Sequence, residues 1–130
     1  MKIIFKRIDH VQITIPKGSE DEAREFYSGL LGLEEIEKPD SLKASGGVWF
    51  KIPGAELHLG VENPSLTLPE GEGKPSKRHP AFEIKNLDAV KKHLIENNVK
   101  IKEEIPISGR KRFSFYDPFG NRIELLEYDG

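Results

Sequence analysis

The chain of 130 residues has no cysteine, one tryptophan and one methionine. Lack of cysteine excludes disulfides, thiolate metal sites and cysteine nucleophiles together, so any metal ligand must be nitrogen or oxygen. Long apolar runs are missing too. Nothing approaches the ~20 residues that a membrane-spanning helix needs, and Met1 to Phe5 lacks the apolar core of a signal peptide. Neither sign of charge dominates: 20 Lys and Arg stand against 22 Asp and Glu, a formal net charge of -2 with the signs interspersed. The basic stretches Lys74 to Arg78 and Arg110 to Arg112 are short and interrupted, so no nucleic-acid or membrane partner is expected. These absences make a soluble cytoplasmic protein the simplest expectation. With 36% apolar and 32% charged residues, the chain suits one compact domain that buries roughly two-thirds of its unfolded surface.

A repeat of one pattern is the most informative thing present. Ile8-Asp9-His10-Val11-Gln12-Ile13-Thr14-Ile15 aligns with Lys77-Arg78-His79-Pro80-Ala81-Phe82-Glu83-Ile84, histidine opposite histidine. Pro53-Gly54-Ala55-Glu56-Leu57-His58-Leu59 aligns with Phe119-Gly120-Asn121-Arg122-Ile123-Glu124-Leu125, which sets His58 opposite Glu124. Two copies point to a pseudo-symmetric domain rather than a solenoid.

Each copy reads as β-α-β-β-β. In the first, a strand over 8–16 ends at Pro16, and Ser19-Glu20-Asp21-Glu22 has the form of a capping box. Ala23, Phe26, Tyr27, Leu30 and Leu31 follow at helical spacing up to Gly32. Strands at 33–38, 48–52 and 56–62 come next, the last two joined through Pro53-Gly54, with 39–47 as a polar loop between the first two. Residues 63–76, rich in proline and glycine, read as a linker long enough to act as a flap. The second copy predicts a strand at 79–85, a helix at about 87–97 with Leu87, Val90 and Leu94 as its buried stripe, and strands near 99–106, 111–116 and 121–128. Asp117-Pro118-Phe119-Gly120-Asn121 reads as the turn into the last strand. The expected organisation is a single domain over 1–130, with module 1 at 1–62, the linker at 63–76 and module 2 at 77–130.

Strand alternation carries the functional argument. His10 faces away from Val11, Ile13 and Ile15, and the same parity sets His79, His58 and Glu124 apart from their apolar neighbours. All four are therefore expected on the helix-free face of a curved sheet. A lone inward histidine is most often a packed core residue; here three of the four histidines occupy repeat-related slots, while His93 lies mid-helix as a surface residue. Three imidazoles and one carboxylate suit zinc, nickel, cobalt, manganese or ferrous iron better than calcium or magnesium. Arg112 and Ser114 are candidates for holding a polar or anionic substrate, and one of Trp49 and Phe50 is expected to line the cavity.

Three stretches, Ile8-Asp9-His10-Val11, Phe26-Tyr27-Ser28-Gly29-Leu30-Leu31-Gly32-Leu33 and Asp117 to Leu125, resemble the vicinal-oxygen-chelate superfamily. This group includes glyoxalase I, bleomycin- and fosfomycin-resistance proteins, methylmalonyl-CoA epimerase and extradiol dioxygenases. The resemblance implies an α+β fold of two βαβββ modules forming an open barrel with helices outside, commonly a homodimer, with metal ligands at the slots of His10, His58, His79 and Glu124. It also implies a metal acting as Lewis acid on a substrate that chelates through neighbouring oxygens, stabilising an enolate or alkoxide in lyase- or isomerase-like chemistry. His58 would be a fourth ligand or a displaceable base, and with Glu124 it forms the expected catalytic pair. Bacterial glyoxalase I usually has a second glutamate at the slot of His58, so the chain departs from authentic glyoxalase I. An extradiol-type dioxygenase and a binding or antibiotic-resistance protein without turnover are the alternatives. Whether the site lies within one chain or between two is left open.

Overall fold

The computed structural model describes residues 1–2, 4–62 and 79–130. The chain divides into two compact units, Met1–Leu68 and Pro69–Gly130. The expected linker and flap at 63–76 lies outside the described residues.

In the first unit β1 (His10–Pro16) leads into helix α1 (Glu20–Ala23), which continues as a π-helix over Arg24–Leu30. β2 (Glu34–Ile36), β3 (Val48–Ile52) and β4 (Ala55–Glu62) complete a sheet of order β1-β4-β3-β2, with β1 parallel to β4 and the other pairs antiparallel. A parallel β1–β4 pair requires a crossover, and the helix supplies it. Widening of the helix to i→i−5 bonding, as from the Leu31 amide to the Phe26 carbonyl, lets the consecutive Phe26 and Tyr27 both enter the core. Their rings meet edge to face at 5.1 Å, and Tyr27 lies 5.6 Å from Phe50. Ile15, Val48, Leu57 and Leu59 close this core, each such side chain contributing about 1.5–3 kcal/mol of burial.

The second unit repeats the order: β5 (Ala81–Glu83), α2 (Leu87–Glu96), β6 (Lys100–Glu103), β7 (Arg110–Tyr116) and β8 (Arg122–Tyr128), in a sheet β5-β8-β7-β6 whose first pair alone is parallel. Leu87 and Leu94 pack with Phe113, Phe115, Ile123 and Leu125 as the core. Glu127 of β8 caps α2 by accepting from the amides of Asn86 and Leu87 at 2.9 and 3.1 Å, a carboxylate at the positive end of a helix. The fold is thus α+β, with two four-stranded mixed sheets that are not closed and few helices, as the sequence implies.

Some local expectations are corrected. No capping box of Ser19 and Glu22 forms: the Ser19 hydroxyl donates to the Pro16 carbonyl at 2.6 Å. The neighbouring Glu20 accepts from the Gly47 amide at 3.2 Å. The 39–47 loop holds a 3-10 helix at Asp40–Ser45. Gly46 and Gly47 follow it, both at positive φ, and a Cβ on Gly47 would collide with the Leu59 carbonyl oxygen. β5 is shorter than the predicted 79–85 because Pro80 has no amide to donate, although Pro80 O and Ile84 N still bond to β8. The turn at 117–121 forms as read, with one Asp117 oxygen accepting from the amides of Phe119 and Asn121. Among the described residues no helix is long and apolar enough to cross a membrane.

Candidate functional site

Alternation works as expected within each sheet. In the first unit Leu57 and Leu59 are buried toward the helix, which turns Glu56 and His58 to the other face; Phe50 goes to the core and Trp49 to the helix-free side. The question of which aromatic lines that face is thereby answered. Trp49 pairs directly with His58 across β3 and β4, their rings stacked at 3.6 Å and 3°. His10, on the strand at the other side of β4, stacks on His58 at 4.2 Å and 14°. His58 is therefore the middle ring of three, its side chain 6% exposed, and its Nε2 donates to Glu56 Oε1 at 2.9 Å. That bond leaves Nδ1 with the lone pair in the neutral ring.

His10 is arranged differently. Its side chain is 44% exposed, and Nδ1 meets the Asp9 carboxylate at 2.9 Å. Arg7 reaches the same carboxylate at 3.2 Å, and the His10 hydrogen bond, foremost, holds the Asp9 carboxyl below its ordinary value. A carboxylate on one imidazole nitrogen fixes the tautomer and leaves Nε2 as the basic atom, the arrangement that metal-ligating histidines adopt.

In the second unit the counterpart of His58 is Glu124, whose side chain is 7% exposed. His79 Nε2 and Arg112 Nη1 both meet its Oε1, each at 3.1 Å. The Arg112 fork is completed by two bonds to the Ile105 carbonyl, at 3.1 and 2.8 Å. Ser114, register partner of Glu124 on β7, is fully buried. Its hydroxyl donates to Glu104, which also receives Lys102 at 2.9 Å and Arg122. Burial pushes the Glu104 carboxyl up, but Ser114, Lys102 and Arg122 outweigh it and hold it at about 2. Arg112 and Ser114, expected to meet a substrate, are engaged with carboxylates of their own unit, Glu124 in β8 and Glu104 just past β6.

The four expected ligands stand as two pairs, one in each unit, and among the described residues no three His, Asp or Glu side chains form a metal-holding group. The pairs fit an ion unequally. Donors on one zinc-like ion at bond lengths of ~2.0–2.2 Å lie roughly 3.3 Å apart, so the 3.1 Å between His79 Nε2 and Glu124 Oε1 is a suitable edge, presently bridged by a proton. The parallel rings of His10 and His58 direct their in-plane lone pairs side by side instead of toward one point, so His10 suits a ligand and His58 does not suit a second one beside it. Sequence reasoning missed Asp9, Glu56, Glu104 and Arg122. The available signal was spacing: Glu56 and Arg122 each lie two residues before a predicted ligand, hence on its face.

Comparison with known proteins places the fold in a family. Residues 7–125 match the family model described as the glyoxalase/bleomycin resistance protein/dioxygenase superfamily. Glyoxylase I 4 of Arabidopsis thaliana is 31% identical over 133 aligned positions, covering 94% of this chain and 71% of the relative. The crystal structure of a glyoxalase family protein from Bacillus anthracis superposes with a TM-score of 0.85 at 42% identity, covering 99% of this chain and 100% of the other. That of a glyoxalase/dioxygenase from Nostoc punctiforme gives 0.76 at 27% identity, with coverages of 100% and 99%. With doubled βαβββ order, a ligand-type residue on the last strand of each unit and a match across nearly the whole length, the chain belongs to the glyoxalase/bleomycin resistance protein/dioxygenase superfamily.

Proposed function

We propose that the protein is a metal-dependent enzyme acting on a small, oxygen-rich substrate by proton transfer, lyase- or isomerase-like, with the His79–Glu124 pair of the second unit as ligands of a divalent transition metal. The observation that carries the reading is the His79–Glu124 pair at 3.1 Å on a mostly buried carboxylate. Such an ion, when bound, supplies a Lewis acid that offsets negative charge on adjacent substrate oxygens.

The remaining work falls to His58. Trp49 and His10 hold its ring on both faces and Glu56 holds Nε2–H, so Nδ1 is the basic atom and Glu56 steadies the imidazolium that forms when it takes a proton. His58 is thus assigned as the base rather than a fourth ligand. Glu124 serves as the carboxylate ligand beside His79. Histidine at 58 in place of a second glutamate separates this chemistry from authentic glyoxalase I.

Elemental analysis of protein purified without chelator should find zinc, nickel, cobalt, manganese or iron near one ion per chain. His79→Ala and Glu124→Gln should each remove most of it. Unchanged metal content in both variants would sink the ligand assignment. Turnover should appear on at least one of a thiohemiacetal, an epoxide, an α-hydroxycarbonyl or an acyl-CoA thioester, and inactivity of the metal-loaded protein on all four would overturn the enzyme reading.

The engagement of Glu124 by Arg112 favours a second reading, a pocket that binds a small molecule without turnover. Ligand binding retained after chelation, with no product, would select it.

A further inference from the structure

We propose that the basic, apolar segment leading into β1 of one copy pairs as an added strand with the open edge of β2 in a second copy, and that reciprocal exchange closes a dimer. Every described residue of 1–9 is exposed and lies outside helix and strand. Ile4, Phe5 and Ile8 are 87%, 88% and 70% exposed, a group of strand-forming apolar side chains that association would cover. β2 ends the sheet order β1-β4-β3-β2, so among the described residues only β3 pairs with it. Such an edge offers unpaired amides and carbonyls to an incoming strand.

Charge selects which strand fits. Residues 19–40 hold eight carboxylates and two cations, whereas residues 1–9 hold three cations and one carboxylate. Two β2 edges would set glutamate against glutamate, which disfavours their pairing, while a basic strand is complementary. An antiparallel register with Phe5 opposite Ile36 places Lys6 opposite Glu35 and Arg7 opposite Glu34. Ile36 is the register partner of Trp49, so Phe5 would extend an apolar row on the helix-free face. Arg24 already meets Glu35 at 3.0 Å, which makes Arg7–Glu34 the discriminating pair. Arg7 now bonds Asp9 and the Gly54 carbonyl from an exposed side chain, contacts that an ion pair with Glu34 can replace.

Reach assigns the segment to a second copy. Asp9 is fixed to β4, its carbonyl accepting from the Glu56 amide at 3.0 Å. A strand added outside β2 lies four strand spacings, roughly 19 Å, from β1. Between Asp9 and Arg7 there are two Cα steps of ~3.8 Å, under ~8 Å in all. The chain therefore cannot cross its own sheet and still pair Arg7 with Glu34. When each copy lends its segment to the other, the two contacts are equivalent and the assembly closes.

The test is sedimentation velocity of the full chain over a range of concentrations. The parent should form a dimer. Arg7→Glu and Glu34→Arg should each weaken it by roughly 10-fold or more, because like charges then face each other across the interface, and the double variant Arg7→Glu/Glu34→Arg should recover most of the loss. Phe5→Ser should weaken it as well, and since Phe5 is 88% exposed in the single chain this change leaves the fold intact; thermal unfolding checks each variant. A dimer that all these variants retain unchanged overturns the proposal, as does a parent that is monomeric throughout. A monomeric parent that pellets with phosphatidylglycerol vesicles, and loses this in Phe5→Ser, would assign the segment to an anionic lipid surface and overturn it too.

Discussion

The helix-free faces of the two units share a backbone plan and differ in chemistry. Around His58 the first unit builds order from rings, with Trp49 on one side and His10 on the other. Around Glu124 the second unit builds it from charge: His79 and Arg112 on Glu124, and Ser114, Lys102 and Arg122 on Glu104. Trp49 and Ser114 occupy the same place in the repeat, each the register partner of the ligand-type residue on the next strand. A duplicated fold can therefore fix a site on each half by unrelated forces. Ring stacking is indifferent to pH and salt except through the imidazoles, whereas a buried ionic cluster depends on every member being present and charged.

The contrast can be broken experimentally. Removing the Glu104 carboxylate should have the largest effect, because Arg122, Lys102 and Ser114 would lose the carboxylate they share in a site where Glu104 is only 5% exposed. Glu104→Ala should destabilise the protein by about 3–5 kcal/mol, the cost of breaking a buried pair from one side, read by urea unfolding. A loss below ~1 kcal/mol would mean that the cluster behaves as a surface network.

Acid is the gentler way to remove the same charge. Glu104 titrates at about 2 in the folded protein against an ordinary value of 4.5. The folded value is depressed, so its stabilisation is complete above pH 4.5 and is lost as pH falls toward about 2, amounting to about 3 kcal/mol in all. Unfolding measured across this window should show a steep component in the parent that Glu104→Gln lacks. Identical slopes in the two proteins would refute the assignment.

Smallest is the effect of unstacking the first unit. Trp49→Ala removes one face of the ring sandwich but leaves the His58–Glu56 bond, and should cost about 2 kcal/mol for lost contact and stacking. A loss larger than that of Glu104→Ala would invert the comparison.

Strand parity made much of this legible beforehand. His10, His58 and Glu124 lie on the helix-free faces because alternation is geometric and apolar neighbours mark the other side. The doubled βαβββ order followed from turn residues such as Pro53-Gly54 and Asp117 to Asn121, whose conformational demands are local. Competition among partners was not legible. The Ser19 hydroxyl had a cap amide and the Pro16 carbonyl in reach, and only the folded backbone decides for the carbonyl. Arg112 read as a candidate substrate contact, and its engagement with Glu124 depends on the Ile105 carbonyl seven residues away in sequence. The widened helix at Arg24–Leu30 has no signature in the residue pattern, which reads equally well as an ordinary amphipathic helix.

Gly47 gives the asymmetry between the units a permanence that side chains alone would not. It stands two residues before Trp49, as Arg112 stands two before Ser114, so it occupies the repeat position of the arginine. At Gly47 a positive φ and the Leu59 carbonyl together forbid any side chain. Descendants of this gene can lose the arginine from the second half by a single codon change, yet cannot gain its twin in the first half without first rerouting the chain. The charged arrangement is thereby confined to one half, because the backbone at Gly47 leaves no room for an arginine in the other.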